Sequence, residues 1–166
     1  MRVPIVFLWL GVAFSLYLSC KKPTPNENYV DMTAEFFQTY IPEMSEVRLL
    51  EKADLPERQQ RFFEEADGQL QLLADLNGNN IPEYFVTGIS EASLRNHEKT
   101  PFFIAIFERS NNQVSRLYFQ QVFIPPVNLS YEENDNTKRV IISFAFYSGF
   151  GASLFYQDST YQLEQW

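Results

Sequence analysis

One cysteine and one histidine stand in a chain of 166 residues, and these two shortages remove most of the side-chain chemistry a small protein uses. A lone Cys20 cannot close an internal disulfide, so stability outside the cytoplasm has to come from packing or a bound ion. A lone His97, in a polar stretch without a cysteine near it, supplies neither a zinc set nor the base of a nucleophilic triad, and reads as a solvated side chain. Glycine is scarce too, six in all. There is no Gly-x-Ser-x-Gly elbow and no phosphate loop, and Gly149-Phe150-Gly151 makes only a turn, since a dinucleotide fingerprint needs a third glycine and a following helix. Positive charge is short as well: 13 Lys and Arg face 21 Asp and Glu, a formal −8. That excludes a sequence-independent grip on nucleic acid and disfavours docking on anionic lipid.

What the chain has in quantity is aromatic residues. Sixteen Phe and nine Tyr bring the aromatic share to 16% within an ordinary 45% hydrophobic total, a balance that favours strands over a helical bundle. The length suits one domain with a real core.

The first nineteen residues carry Arg2, an apolar run from Val3 to Leu18, and Ser19 before Cys20. A charged start, a short apolar centre and a small residue at the cut are what export machinery recognises. The placement of Cys20 resembles the lipobox of bacterial lipoproteins, with Tyr17 where Leu is usual and Leu16 and Leu18 beside it. The resemblance implies that Cys20 is lipidated and becomes the first residue of the mature chain, anchored to a membrane of the cell envelope, the outer membrane or cell surface. An ordinary cleaved signal and an uncut membrane anchor are the alternatives. Residues 20–28, with Lys21 to Asn28 polar and holding two prolines, then form a tether. Losing the leader removes Arg2 and no acid, so the formal charge moves from −8 to −9.

Residues 29–166 are expected to form a single α+β domain: an antiparallel β-sheet with two N-terminal helices packed on one face. Helical spacing of apolar residues runs from Tyr29 to Ile41 and stops at Pro42. Asp54 and Glu57 have capping-box spacing for a second helix over Pro56 to Glu65, with Phe62 and Phe63 inward. Strands are expected at Gln69 to Ala74, Tyr84 to Ile89, Phe102 to Phe107 and Gln113 to Phe123. Pro125-Pro126 closes the last of these. Ser130 to Lys138 reads as a polar, acidic loop. Val140 to Phe146 alternates like a central strand, and Leu154 to Gln157 and Tyr161 to Glu164 finish the sheet.

The feature that stands out is Asp75-Leu76-Asn77-Gly78-Asn79-Asn80-Ile81-Pro82-Glu83. Asp75, Asn77, Asn79 and Glu83 place oxygens at positions one, three, five and nine, and the Ile81 carbonyl falls at seven, so a single curl would turn them toward one hard cation. The spacing resembles the calcium-binding hairpin loop of FG-GAP and integrin-type repeats, with Asn80 in place of the usual glycine and Glu83 in place of the usual Asp. That resemblance implies a calcium site with Asp75, Asn77, Asn79, Ile81 and Glu83 as ligands; two full charges make it a weak one, on the order of 10⁻⁴ to 10⁻³ M. The competing reading is an Asx-rich turn whose side chains bond their own backbone. With no catalytic constellation in view, the chain reads as a non-catalytic binding or structural module. A carboxylate-based envelope hydrolase and a secreted inhibitor or host-binding module, presenting Ser90 to Thr100 or Ser130 to Lys138, are the alternatives.

Overall fold

The computed structural model describes residues 30–134, 137–144 and 151–166. The expected leader, the lipidation site Cys20, the tether, and residues 149 and 150 of the expected glycine turn lie outside them. Among the described residues the chain is mostly antiparallel β with few helices. Helices α1 (Ala34–Tyr40), α2 (Glu57–Glu65) and α3 (Glu91–Arg95) accompany nine strands: β1 (Val47–Leu49), β2 (Gln71–Ala74), β3 (Glu83–Ser90), β4 (Phe102–Ser110), β5 (Gln113–Val122), β6 (Pro126–Asn134), β7 (Thr137–Phe144), β8 (Gly151–Gln157) and β9 (Thr160–Gln165).

These strands make two sheets where the sequence led us to expect one. The first runs β1-β3-β4-β5, with β2 sharing the same edge of β3, and the second is the meander β6-β7-β8-β9. They pack face to face over a core in which Phe85, Ile104 and Ile106 of the first sheet meet Leu129, Val140, Ile142 and Leu154 of the second. Pro126 is the reason the expectation failed. Proline ends β5's sheet as anticipated, but it is also tolerated at the first position of a strand, and here it opens β6.

Strand β3 is buried along its whole length because both of its faces are covered. Tyr84 and Val86 join Phe103, Ala105 and Phe107 of β4 under Phe37 and Ile41 of the α1 segment, while Phe85 points into the space between the sheets. The helix begins where Thr33 accepts the amide of Phe36, a cap that satisfies one of its unpaired donors. Crowding at this layer dictates Gly88: a Cβ there would lie 2.1 Å from the Phe103 ring and 2.7 Å from the Arg48 carbonyl.

The second helix does not share α1's position. It has no fully buried residue, Phe62 is exposed, and only Phe63 packs, against a separate cluster of Leu50, Leu55, Leu70, Ile89 and Val127. Consecutive helical positions point about 100° apart, and here the inward direction falls on Phe63 and leaves Phe62 in solvent. Asp54 does not cap this helix either. Its carboxylate closes a 3₁₀ turn by accepting the amide of Glu51 and pairs with Arg48 at 2.6 Å.

Two stretches expected as loops are ordered elements. Ser90 to Thr100 contains α3, whose first turn is capped by Ser90 accepting from the Ser93 amide. Of Ser130 to Lys138, residues 130–134 belong to β6 and 137–138 to β7, 135 and 136 lying outside the described residues, and Glu132 lies opposite Arg139 and Glu133 opposite Lys138. Glu132 and Glu133 are cross-strand ion partners, not loop charge. The two sheets are stitched on one side by Leu129 donating its amide to the Gln69 carbonyl at 2.7 Å, and by Asn128 accepting the Gln69 amide at 2.8 Å.

Candidate functional site

The oxygen-rich stretch joins β2 to β3, whose last and first residues, Ala74 and Glu83, are paired. Its curl is made by its own side chains. Asp75 accepts the amide of Gly78 at 2.9 Å on one carboxylate oxygen and that of Asn80 at 3.1 Å on the other. Asn77 accepts from the Asn79 amide at 2.9 Å, and Asn79 from the Ile81 amide at 2.8 Å. Gly78 and Asn80 take positive φ, 75° and 65°, a conformation glycine adopts freely and asparagine tolerates. Asn80 therefore serves at a turn position where glycine is the usual residue.

Glu83, the ninth position, behaves differently from the rest of the set. It is 0% exposed. One oxygen accepts the Leu76 amide at 2.7 Å; the other accepts the Asn77 amide at 3.2 Å and the Tyr161 hydroxyl at 2.6 Å. A buried carboxylate without such donors would be prohibitively costly, whereas one receiving two backbone amides and a phenol is a stable fixture. The side chain of Leu76 sits beneath it in the inter-sheet core. Burial and the Glu83 carboxylate both hold the Tyr161 hydroxyl well above the usual tyrosine range, so it stays a proton donor.

Two further residues belong to the arrangement. Glu108 of β4, the register partner of Glu83, accepts the side-chain amides of Asn79 at 2.6 Å and Asn77 at 3.4 Å, and Asn77 also donates to the Tyr161 hydroxyl at 3.1 Å. Lys138 of β7 donates to the Asp75 carbonyl at 3.3 Å. Nearby Tyr131 is pushed up to about 12 by burial, by its hydrogen bond to Glu133 and by the charges of Asp75 and Glu83. The loop is thus tied to both sheets, through β3 and β4 on one side and β7 and β9 on the other. Sequence spacing marked the loop but not Glu108 or Tyr161. In the sequence Glu108 is merely the acid that follows the Phe102 to Phe107 strand, and Tyr161 merely the first residue of the last expected strand.

The donor set is one of hard oxygens, carboxylates and carbonyls with no sulfur or imidazole, the kind that suits calcium, magnesium or manganese and not zinc or copper. Ile81 contributes its amide to the turn, and its carbonyl is the remaining oxygen of the set. Among the described residues no three His, Cys, Asp or Glu side chains are grouped as a metal-binding cluster. His97 is exposed, at positive φ beyond α3. Compared with known protein families, with curated proteins and with solved structures, the chain matches none.

Two outcomes follow from the Glu83 arrangement. Glu83→Gln keeps the shape but sets an NH₂ group against donors, and should lower the unfolding free energy by about 1–3 kcal/mol in urea denaturation. In the folded protein Tyr161 keeps its proton where an unfolded tyrosine loses it, so its contribution fades as pH rises above about 10. Absorbance titration of the folded wild type and Tyr161→Phe should accordingly superimpose up to alkaline unfolding.

Proposed function

We propose that this chain is a lipid-anchored protein of the bacterial envelope, held through Cys20, and that its domain is a non-catalytic binding or structural module whose Asp75–Glu83 loop takes calcium weakly. The observation that supports the loop reading is the single curl made by Asp75, which brackets Gly78 and Asn80 with its two oxygens, the one curl that a hard-cation loop of this spacing requires. Asp75, Asn77, Asn79, the Ile81 carbonyl and Glu83 would hold the ion, and calcium would supply positive charge beside Asp75, Glu83 and Glu108. Glu83 already accepts three hydrogen bonds of the roughly four a carboxylate can take. Asp75 is therefore the principal charged ligand, and affinity belongs in the weak, extracellular class.

A hydrolytic reading has less support. Glu83 and Glu108 are neighbouring carboxylates, but Glu83 is sealed from solvent, and a glycosidase needs both acids to reach the substrate.

Calcium at about ten times its Kd should add about 1.4 kcal/mol of stability, read as a rise in melting temperature, and Asp75→Ala should abolish the rise. A melting curve indifferent to calcium and chelator assigns the loop to the self-bonded turn. For the anchor, mass spectrometry of the mature end should find acylated Cys20, and Cys20→Ala should release the chain from membranes; an unmodified end downstream of Cys20 removes the anchor.

A further inference from the structure

On the second sheet, strand register brings together side chains that the core does not use. Arg139 pairs with Phe155 and Ser153 with Glu164, so alternation puts Thr137, Arg139, Ser153, Phe155, Gln157 and Glu164 on the face opposite Val140 and Leu154 of the core. These side chains line a cavity of about 600 Å³, within the size range of small-ligand sites. It runs over the end of the sheet because the strands part there: β7 begins at Thr137 and β8 ends at Gln157, yet their pairing stops at Arg139 and Phe155. Leu76, Asn77 and Gly78 of the oxygen-rich loop line that end, and Gly78 has nothing within 4 Å of the place a Cβ would take. Tyr156 stands between this cavity and a second, of about 460 Å³, that also touches Asn77. Its side chain is 37% exposed, and its ring leans on that of Tyr161 with 5.0 Å between centroids.

The lining disfavours a charged ligand. Both cations of the larger cavity are engaged: Arg139 donates twice to Glu132, at 3.0 and 2.8 Å, and Lys138 donates to the Asp75 carbonyl at 3.3 Å with Glu133 3.8 Å away. The Glu164 carboxylate, by contrast, has no hydrogen-bond or ion-pair partner among the described residues, and nor has the side-chain amide of Gln157, of which only the backbone is engaged. An anion would meet a free carboxylate with no free cation to offset it, and a cation would meet Lys138 and Arg139 beside that single open acid. The open groups fit a neutral molecule dense in hydroxyls: the amide both donates and accepts, the carboxylate accepts on two oxygens, and the partly exposed Tyr156 and Phe155 add apolar ring surface. A pyranose has this composition, O–H groups around its rim and C–H groups across its face. A peptide would draw affinity from pairing with a sheet edge, whereas β7 and β8, which supply most of the lining, lie inside their sheet.

We infer that this cavity binds a neutral saccharide, with Gln157 and Glu164 bonding its hydroxyls and Tyr156 against a sugar ring. This rests on the binding-module reading above, to which it gives a ligand class, and on neither the calcium nor the anchor. Two cavities in series, one on each side of Tyr156, suit a chain of sugar rings better than a single one.

The test is saturation-transfer difference NMR on the full chain, purified in a non-glycosidic detergent, with short linear oligosaccharides of glucose, galactose, mannose and N-acetylglucosamine as probes. At least one should take up saturation from the protein's aromatic protons through its ring C–H groups. Gln157→Ala and Glu164→Ala each remove an exposed side chain without a partner among the described residues. Both should leave the melting temperature unchanged and weaken that sugar about tenfold, the loss of one good hydrogen bond. Binding as strong in both variants places the sugar elsewhere and overturns the inference. Absence of transfer to every sugar overturns it equally, and uncharged peptides of serine, asparagine and glycine then separate the two readings: transfer to them keeps the binding module with a different ligand, and transfer to neither leaves a structural module.

Discussion

A carboxylate buried with no cationic partner among the described residues is the constraint around which this domain is organised. Glu83 sits at the start of the most covered strand in the molecule, and only the amides of Leu76 and Asn77 and the hydroxyl of Tyr161 make its position tolerable. Each of those donors has to be brought there by the fold. Leu76 and Asn77 come from the preceding loop, which must curl; Tyr161 comes from the second sheet, which must pack over the first. A single side chain thereby links the shape of the loop to the closure of the two sheets. The same low-dielectric setting that makes an unpaired carboxylate so costly strengthens its hydrogen bonds once they form.

The opposing readings of the oxygen-rich stretch meet at this residue. As a calcium loop it needs Glu83 to turn toward the ion, and as a self-bonded turn it needs Glu83 to hold the backbone. The structure shows the second set of bonds, made by Asp75, Asn77, Asn79 and Glu83 alike. Asp75 keeps the most free acceptor capacity, which is why a weak ion site centred on it is compatible with the same curl. Such an ion would add to a loop already closed.

Much of the fold was legible in the sequence wherever the determining pattern was local. The alternation of Val140, Ile142 and Phe144 places all three in the core, and the continuous run from Phe102 to Phe107 is covered on both faces as such runs are. The Asx turns of the loop were equally local. What escaped depended on distant partners. Tyr161 reaches Glu83 across 78 residues, and no spacing rule connects them. Glu132 and Glu133 looked like solvated loop charge because their partners, Arg139 and Lys138, lie beyond the turn, and only the antiparallel register sets them opposite. The division into two sheets turned on Pro126, a residue that can end one strand or begin another, and the choice is made by which apolar faces find each other.

Amide hydrogen exchange at Leu76 and Asn77 bears most directly on the Glu83 account. Both amides lie in a loop between strands, where neither belongs to a β ladder. If the buried carboxylate holds them, they exchange as slowly as the amides of β3 and are released with them in the same unfolding event. Exchange at the rate of exposed turn amides such as Asn112, while β3 remains protected, would show that Glu83 does not hold the loop, and the link between the turn and the two sheets would fall.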